Sequence, residues 1–253
     1  MQHFVRPPLR VRLLSWLPFV TSAALVAFAI QLALTRPLTA AIVITLSALV
    51  LAPQLLARRR ARRLLMSGDI PAVLAAWNHA LDRVPHPETM VPLVRATAFA
   101  AYGLTEPARA ALERARRGPA WEAALEQRLF VETLLDAFEG ERESAVQKAA
   151  VIERLPLPPA GPVMRARIAG LRAAVGALAR AFARSPRAGD VRVLETAARG
   201  NPLVFWAMQY AAAVVHVERG AHDRARQILA KAPAWPESSA FNHFDAELRA
   251  LLQ

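Results

Sequence analysis

The sequence contains no cysteine. Disulfide bonds, thiolate catalysis and zinc sites with cysteine ligands are therefore excluded. Runs of valine, isoleucine and threonine, which would indicate strands, are also scarce after residue 64. Alanine, leucine, arginine and glutamate dominate there, and these residues are strong helix formers. The sequence therefore predicts an all-α domain over residues 64–253.

Acidic residues are absent from the first 63 residues, which hold nine of the arginines. The formal charge of +12 thus divides into +9 for residues 1–63 and +3 for residues 64–253, where 23 basic residues oppose all 20 acidic ones. A nucleic-acid-binding domain carries its basic surface in its folded part. The charge distribution therefore argues against nucleic acid as a partner.

Motifs that would indicate catalysis or cofactor binding are missing as well. The sequence has no glycine-rich phosphate loop, GxSxG elbow, dinucleotide fingerprint or HExxH motif. His216 and His222 flank Gly220, but a spacing of six across a turn is not a zinc arrangement. We therefore predict no catalytic, metal or cofactor site, no small-molecule substrate and no enzymatic activity; an enzyme of unrecognised type is the alternative.

Two apolar blocks without a charged residue, 13–35 and 37–57, lie on either side of Arg36. At about 1.5 Å rise per residue, each can cross a hydrocarbon core of about 30 Å as a helix. We predict a transmembrane hairpin over residues 1–63, with helices at about 13–35 and 38–57. A cleaved signal peptide usually has a shorter apolar region, and buried helices of a soluble protein are usually less uniformly apolar.

The arginines around these blocks predict the orientation of the hairpin. Three precede the first block, Arg36 lies between the blocks, and five follow: Arg58, Arg59, Arg60, Arg62 and Arg63. The positive-inside rule places both ends in the cytoplasm. The flanking arginines could also contact anionic lipid headgroups. An arginine-to-lysine ratio of 30 to 2 and many alanines favour a bacterial inner membrane.

A repeated pattern begins at Gly68, Gly103, Gly140 and Gly220. A small or apolar residue follows each glycine at five, nine and twelve positions, beginning with Val73, Ala108, Ala145 and Ala225. A proline closes each segment after sixteen or seventeen positions, at Pro85, Pro119, Pro156 and Pro236. Glycine permits a tight turn, alanine lets two helices approach, and proline cannot continue a helix.

This pattern, over residues 64–236, resembles the second helix of tetratricopeptide repeats. The resemblance implies an α-solenoid of antiparallel helix pairs over residues 64–253. The first helices lack the family's Trp-x-x-Leu-Gly-x-x-Tyr pattern, and a generic alanine-rich helical array would have the same pairwise topology. The 80 residues between Gly140 and Gly220 leave space for a degenerate unit, whose turn we expect at Gly189.

Three further features lie near the C-terminal half. The proline-rich segment 155–162 predicts a possible boundary between two lobes. The six arginines from Arg165 to Arg187, with no acid among them, predict a basic surface that is either solvated or contacts an acidic or lipid partner. Ser238 and Ser239 can cap a last helix, at about 238–252, that carries Phe241, Phe244, Leu248 and Leu251; it resembles the helix that covers the open end of such arrays.

In the family, the first helix of each unit lines a concave groove. Offsets from the glycines imply Thr97, Phe130, Leu134 and Tyr210 as candidate partner-binding residues, with core packing as the alternative role. The first unit's first helix would be residues 54–67, so the array would continue from the second membrane helix.

The function we expect is that of a membrane-anchored, non-catalytic adaptor or scaffold whose cytoplasmic repeats bind a protein partner. The alternative is an accessory subunit of a membrane protein complex. In that case the hairpin would form the main contact, through the small residues Ala23, Ala24, Ala27, Ser47 and Ala48.

Overall fold

A computed structural model describes residues 37–81 and 84–253, and all of the regular elements there are α-helices. The all-α class is thus confirmed for this part of the chain. The first predicted membrane helix, residues 13–35, lies outside the described residues. The helices are α1 (Pro37–Met66), α2 (Ile70–Leu81), α3 (Pro87–Ala101), α4 (Thr105–Arg116), α5 (Leu125–Glu139), α6 (Arg142–Arg154), α7 (Pro162–Phe182), α8 (Asp190–Gly200), α9 (Phe205–Glu218), α10 (His222–Leu229) and α11 (Ala240–Leu251).

The helix α1 continues for 30 residues with Pro53 inside it. Several of its large apolar side chains are exposed, including Leu38 and Leu49. The five flanking arginines lie in its C-terminal half, and their side chains are exposed: Arg58, Arg59, Arg60, Arg62 and Arg63. Within residues 37–81 and 84–253, no helix combines the length and the apolarity needed to cross a membrane. The chain divides into two compact units between Arg60 and Ala61.

Glycine lies at the turn of three helix pairs of the second unit and between α1 and α2. Gly68, Gly103, Gly140 and Gly220 have φ angles of 79°, 72°, 88° and 69°, a region that glycine adopts without steric cost. After the last three, an amide bonds to a carbonyl five residues back; one example is the amide of Glu141, which donates to the Asp136 oxygen at 2.8 Å. This is the Schellman arrangement of helix ends. The four predicted glycine turns are confirmed.

The degenerate unit turns elsewhere, and its predicted turn at Gly189 is wrong. Gly189 has a φ of −91° and directly precedes α8. The left-handed residue is Arg184, with a φ of 53°, and the amide of Ser185 donates to the Arg180 oxygen at 2.9 Å. The same helix-ending geometry therefore forms here without glycine. A longer loop then leads to α8.

Four helices, α3, α5, α7 and α9, form an inner layer in which each contacts the next. The helices α4, α6, α8 and α10 pair with them as a second layer. Alanines such as Ala100, Ala137 and Ala177 are buried, and small side chains permit close helix approach. The last inner helix, α9, also contacts the first, α3. The stacked pairs are consistent with an α-solenoid that curves back on itself.

The C-terminal helix α11 contacts the last helix pair, α9 and α10, and folds back onto the inner layer, where its aromatic side chains reach α5. Ser239 caps it by accepting from the Phe241 amide at 3.2 Å, and the Ser239 hydroxyl donates to the Tyr102 oxygen at 2.7 Å. Phe241 stacks on Tyr210 with ring centroids 4.8 Å apart and meets Phe138 edge-on at 5.2 Å. The C-terminal ends of α3 and α5 and the face of α9 are thus covered by this segment.

Candidate partner-binding groove

A concave groove of about 600 Å³ follows the inner layer beyond the region that α11 covers. Residues of α3, α5 and α7 and of the segments before α3, α5 and α9 line it. The apolar lining consists of Pro85, Met90, Ala120, Ala123, Ala124, Phe130, Leu171, Leu203 and Val204, and the polar lining of His86, Thr97, Glu126, Gln127 and Asn201. We call this surface the concave groove.

Two of the four candidate residues predicted from the sequence lie together in the concave groove. Thr97 of α3 and Phe130 of α5 both line it, and both are half-buried. The Thr97 hydroxyl donates to the Leu93 carbonyl at 2.8 Å. This bond satisfies the hydroxyl donor within α3. The Thr97 side chain therefore forms part of the groove wall without a free hydroxyl donor.

The other two predicted residues, Leu134 and Tyr210, lie in the hydrophobic core, with exposures of 0% and 1%. The Tyr210 hydroxyl accepts from the Trp235 indole at 2.8 Å. Burial, together with the nearby Asp245 carboxylate, raises the pKa of Tyr210. For Tyr210 the physical reason is the fold-back of the C-terminal segment, which covers its ring. The structure therefore places Leu134 and Tyr210 in the core and not in the groove. Core packing is the alternative role that the sequence left open for them.

The sequence reasoning missed other groove residues that a longer offset would have found. Thirteen residues before Gly103, Gly140 and Arg184 stand Met90, Gln127 and Leu171, and all three line the concave groove. This offset is about one helical turn farther from the turn residue than the one that gives Phe130. Leu171 follows only from the true turn at Arg184.

A buried arginine holds the groove wall in place. Arg172 of α7 is 5% exposed, and its Nε and Nη2 donate to the Glu126 carboxylate at 2.8 Å each. Its Nη1 donates to the Leu155 carbonyl at 2.5 Å. The hydrogen bonds that the guanidinium donates to Glu126 raise its pKa, and it stays charged. Arg172 therefore joins α7, α5 and the proline-rich segment after α6.

This pairing also changes the basic surface predicted from Arg165 to Arg187. Arg172 is buried in the groove wall, and Arg180 donates to the Asp190 carboxylate at 2.7 and 3.0 Å. Burial alone would raise the pKa of Asp190, but bonds from Arg180 and from the Arg187 amide outweigh it and lower that pKa. Arg172 and Arg180 are thus engaged in close internal ion pairs, and the basic surface is smaller than the sequence implies.

His86, at the margin of the concave groove, has a φ of 52° just before α3. A left-handed conformation costs a residue with a side chain about 1–2 kcal/mol. Its carbonyl accepts the amides of Thr89 and Met90 at 3.0 and 2.9 Å, so the turn is held by the start of the helix. Strain of this kind is frequent at binding sites.

The chemistry of the concave groove suits a peptide: apolar side chains form its wall, and amide and carboxylate groups lie at its margin. Within residues 37–81 and 84–253, no group of three or more His, Asp or Glu side chains is placed to hold a metal ion.

No family model, curated protein or solved structure matches the chain. The function is therefore argued from the geometry of this chain alone.

Proposed function

We propose that this protein is a membrane-anchored, non-catalytic adaptor whose TPR-like repeats bind a segment of a protein partner. The observation that carries the proposal is the concave groove. Met90, Phe130, Leu171 and Leu203 line one cavity of about 600 Å³, and such concave inner surfaces are where helical repeat arrays bind extended partners. No metal or cofactor enters the proposal.

The TPR-like part of the proposal is supported by the turns. Four glycines with positive φ separate a first from a second helix at the positions where the repeat pattern has them. Ala108, Ala145 and Ala225, five residues after three of these glycines, are fully buried. Small buried residues at that position fit the tight pairing of the two helices in a tetratricopeptide repeat.

The anchoring part of the proposal is supported by the sequence of residues 13–57, in which Arg36 is the one charged residue. In α1, Leu38, Ile42 and Leu49 are 80%, 57% and 70% exposed. Large apolar side chains on one exposed helix need a partner such as lipid or another helix. We propose an inner-membrane location with both ends, and therefore the repeats, in the cytoplasm.

Site-specific photo-crosslinking in cells tests the adaptor function. A photoreactive residue placed at Met90 or Leu203 should capture one soluble protein, because both positions line the concave groove. Gln147, an exposed residue of α6 away from the groove, is the control and should capture nothing in common with them. If all three positions give the same captured proteins, the groove is not the binding surface.

The second candidate function is that of an accessory subunit whose hairpin contacts other membrane proteins. The exposed apolar side chains of α1 favour it. Replacement of residues 1–57 by an unrelated two-span anchor separates the two functions. An adaptor keeps the protein captured from Met90, whereas a subunit loses its partners, and photoreactive residues at Ile42 or Leu49 of the native chain then capture integral membrane proteins.

A further inference from the structure

A second apolar cleft, of about 760 Å³, lies between the first half of α7 and α8. Met164, Ile168, Leu171 and Val193 provide its apolar wall. Met164 is 50% exposed, and the preceding Val163 is 82% exposed. Large apolar side chains that remain this exposed around a cavity indicate a surface that binds something. We call this surface the α7–α8 cleft.

The charges around the α7–α8 cleft have one sign. Arg167 and Arg192 line it, and none of the described residues that line it is acidic. Arg167 donates to the Gly200 carbonyl at 3.5 Å, and Arg199 donates to the hydroxyl of Thr196, which also lines the cleft, at 3.4 Å. The guanidinium groups are therefore placed at the cleft, and they complement carboxylates.

Gly170, in the interior of α7, opens into this cleft. A Cβ atom added there would meet nothing within 4 Å, whereas one added at Gly176 of the same helix would collide with the Glu153 carboxylate. Packing within the chain thus gives no reason for glycine at position 170. A glycine inside a helix is less favourable than alanine. The cleft floor at Gly170 is open space that the chain itself does not fill.

We propose that the α7–α8 cleft binds an acidic amphipathic helix of a protein partner. The apolar face of that helix would pack against Met164, Ile168 and Val193, and its carboxylates would pair with the arginines at the rim. Residues 164–173 of α7 extend about 14 Å, so the cleft holds two to three turns of a helix. The concave groove is a separate surface, although Leu171 and Asn201 line both, and the inference does not rest on the proposed function.

Selection from a displayed library of random peptides, about fourteen residues long, against the full-length chain in nanodiscs of zwitterionic lipid tests this inference. Enriched peptides are then counter-screened against Gly170→Leu. This substitution places a side chain in the open cleft, and it raises helix propensity, so circular dichroism should show a folded protein. Ala110→Leu adds a leucine to the exposed face of α4 and is the matched control.

We expect one class of enriched peptides to be net acidic, with apolar residues three and four positions apart. Gly170→Leu should weaken their binding by about tenfold or more, and Ala110→Leu should not weaken it. Arg167→Gln or Arg192→Gln should each weaken it a fewfold, as for exposed ion pairs, and higher salt should do the same.

Three results would overturn the inference: no enriched peptide depends on Gly170, the dependent peptides carry no net negative charge, or the arginine variants bind them as the native chain does. A class of peptides that is insensitive to Gly170→Leu but is lost on Met90→Arg belongs to the concave groove. Failure of the cleft and failure of the groove can therefore be told apart.

Discussion

Arg172 should be the most costly arginine to replace in the helical array, since it is charged, 5% exposed and bonded to two other segments of the chain. Arg172→Met keeps the apolar stem and removes every donor. The bidentate pair with Glu126 and the bond to the Leu155 carbonyl are lost together. A hydrogen bond to a charged group contributes about 1.5–3 kcal/mol, and removal of one partner of a buried pair costs about 3–5 kcal/mol.

The expected cost lies near the lower end of that range, because the Glu126 side chain is 42% exposed and can be solvated once its partner is gone. We expect a loss of about 3 kcal/mol in the free energy of unfolding. For a unit of this size, that loss lowers the Tm by about 6–12 °C. Thermal unfolding of the full-length chain, followed by far-ultraviolet circular dichroism, measures it.

Arg165→Met on the same helix is the control, since its side chain is exposed, and it should change the free energy of unfolding by less than about 0.5 kcal/mol. If Arg172→Met costs less than about 1 kcal/mol, the guanidinium is solvated in the native protein. The account of how the groove wall is held would then be wrong.

Three further predictions concern turns and charge. Arg184→Gly should stabilise the chain by about 1 kcal/mol, because glycine removes the left-handed strain; unchanged thermal unfolding would contradict the assigned turn. Gly140→Ala should cost about 1–2 kcal/mol from backbone strain alone, and Gly103→Ala more, since a Cβ there also approaches Phe241 at 3.2 Å; equal Tm losses would contradict this order. Asp190 has a lowered pKa in the native state, so the stability it contributes is present above its ordinary pKa of about 3.9 and is lost as pH falls through the lower native value. In urea unfolding, Asp190→Asn should therefore lose less stability in acid than the native chain does, and equal losses in the two proteins would contradict this.

Four turns of the array could be predicted from the sequence because each contains a glycine. At Gly68, Gly103, Gly140 and Gly220 the left-handed conformation selects the residue type. The fifth turn, between α7 and α8, has no glycine in the left-handed position. Arg184 adopts the same conformation, and the backbone hydrogen bonds that hold it there do not depend on the residue type. The turn was therefore predicted at the nearest glycine, Gly189, instead of at Arg184.

The groove could be predicted only in part, because its extent depends on a distant segment. Helical spacing indicated that Phe241 and Leu248 share an apolar face, and both are buried in α11. Spacing did not indicate which surface that face meets. Since α11 covers Tyr210, the groove residues are those one turn closer to the helix N-termini, such as Met90.

The fold-back of α11 has a consequence for biosynthesis. Phe241 and Phe244 leave the ribosome later than the inner helices that they contact, and until they do, the aromatic rings of Phe138, Phe182 and Tyr210 lack the partners that they have in the native state. A nascent chain therefore exposes a strip of apolar surface along three completed helices. Solenoids whose repeats contact only their neighbours can fold as they emerge. This one can finish only after α11 has emerged, and nascent chains that have not yet reached that point should bind a chaperone.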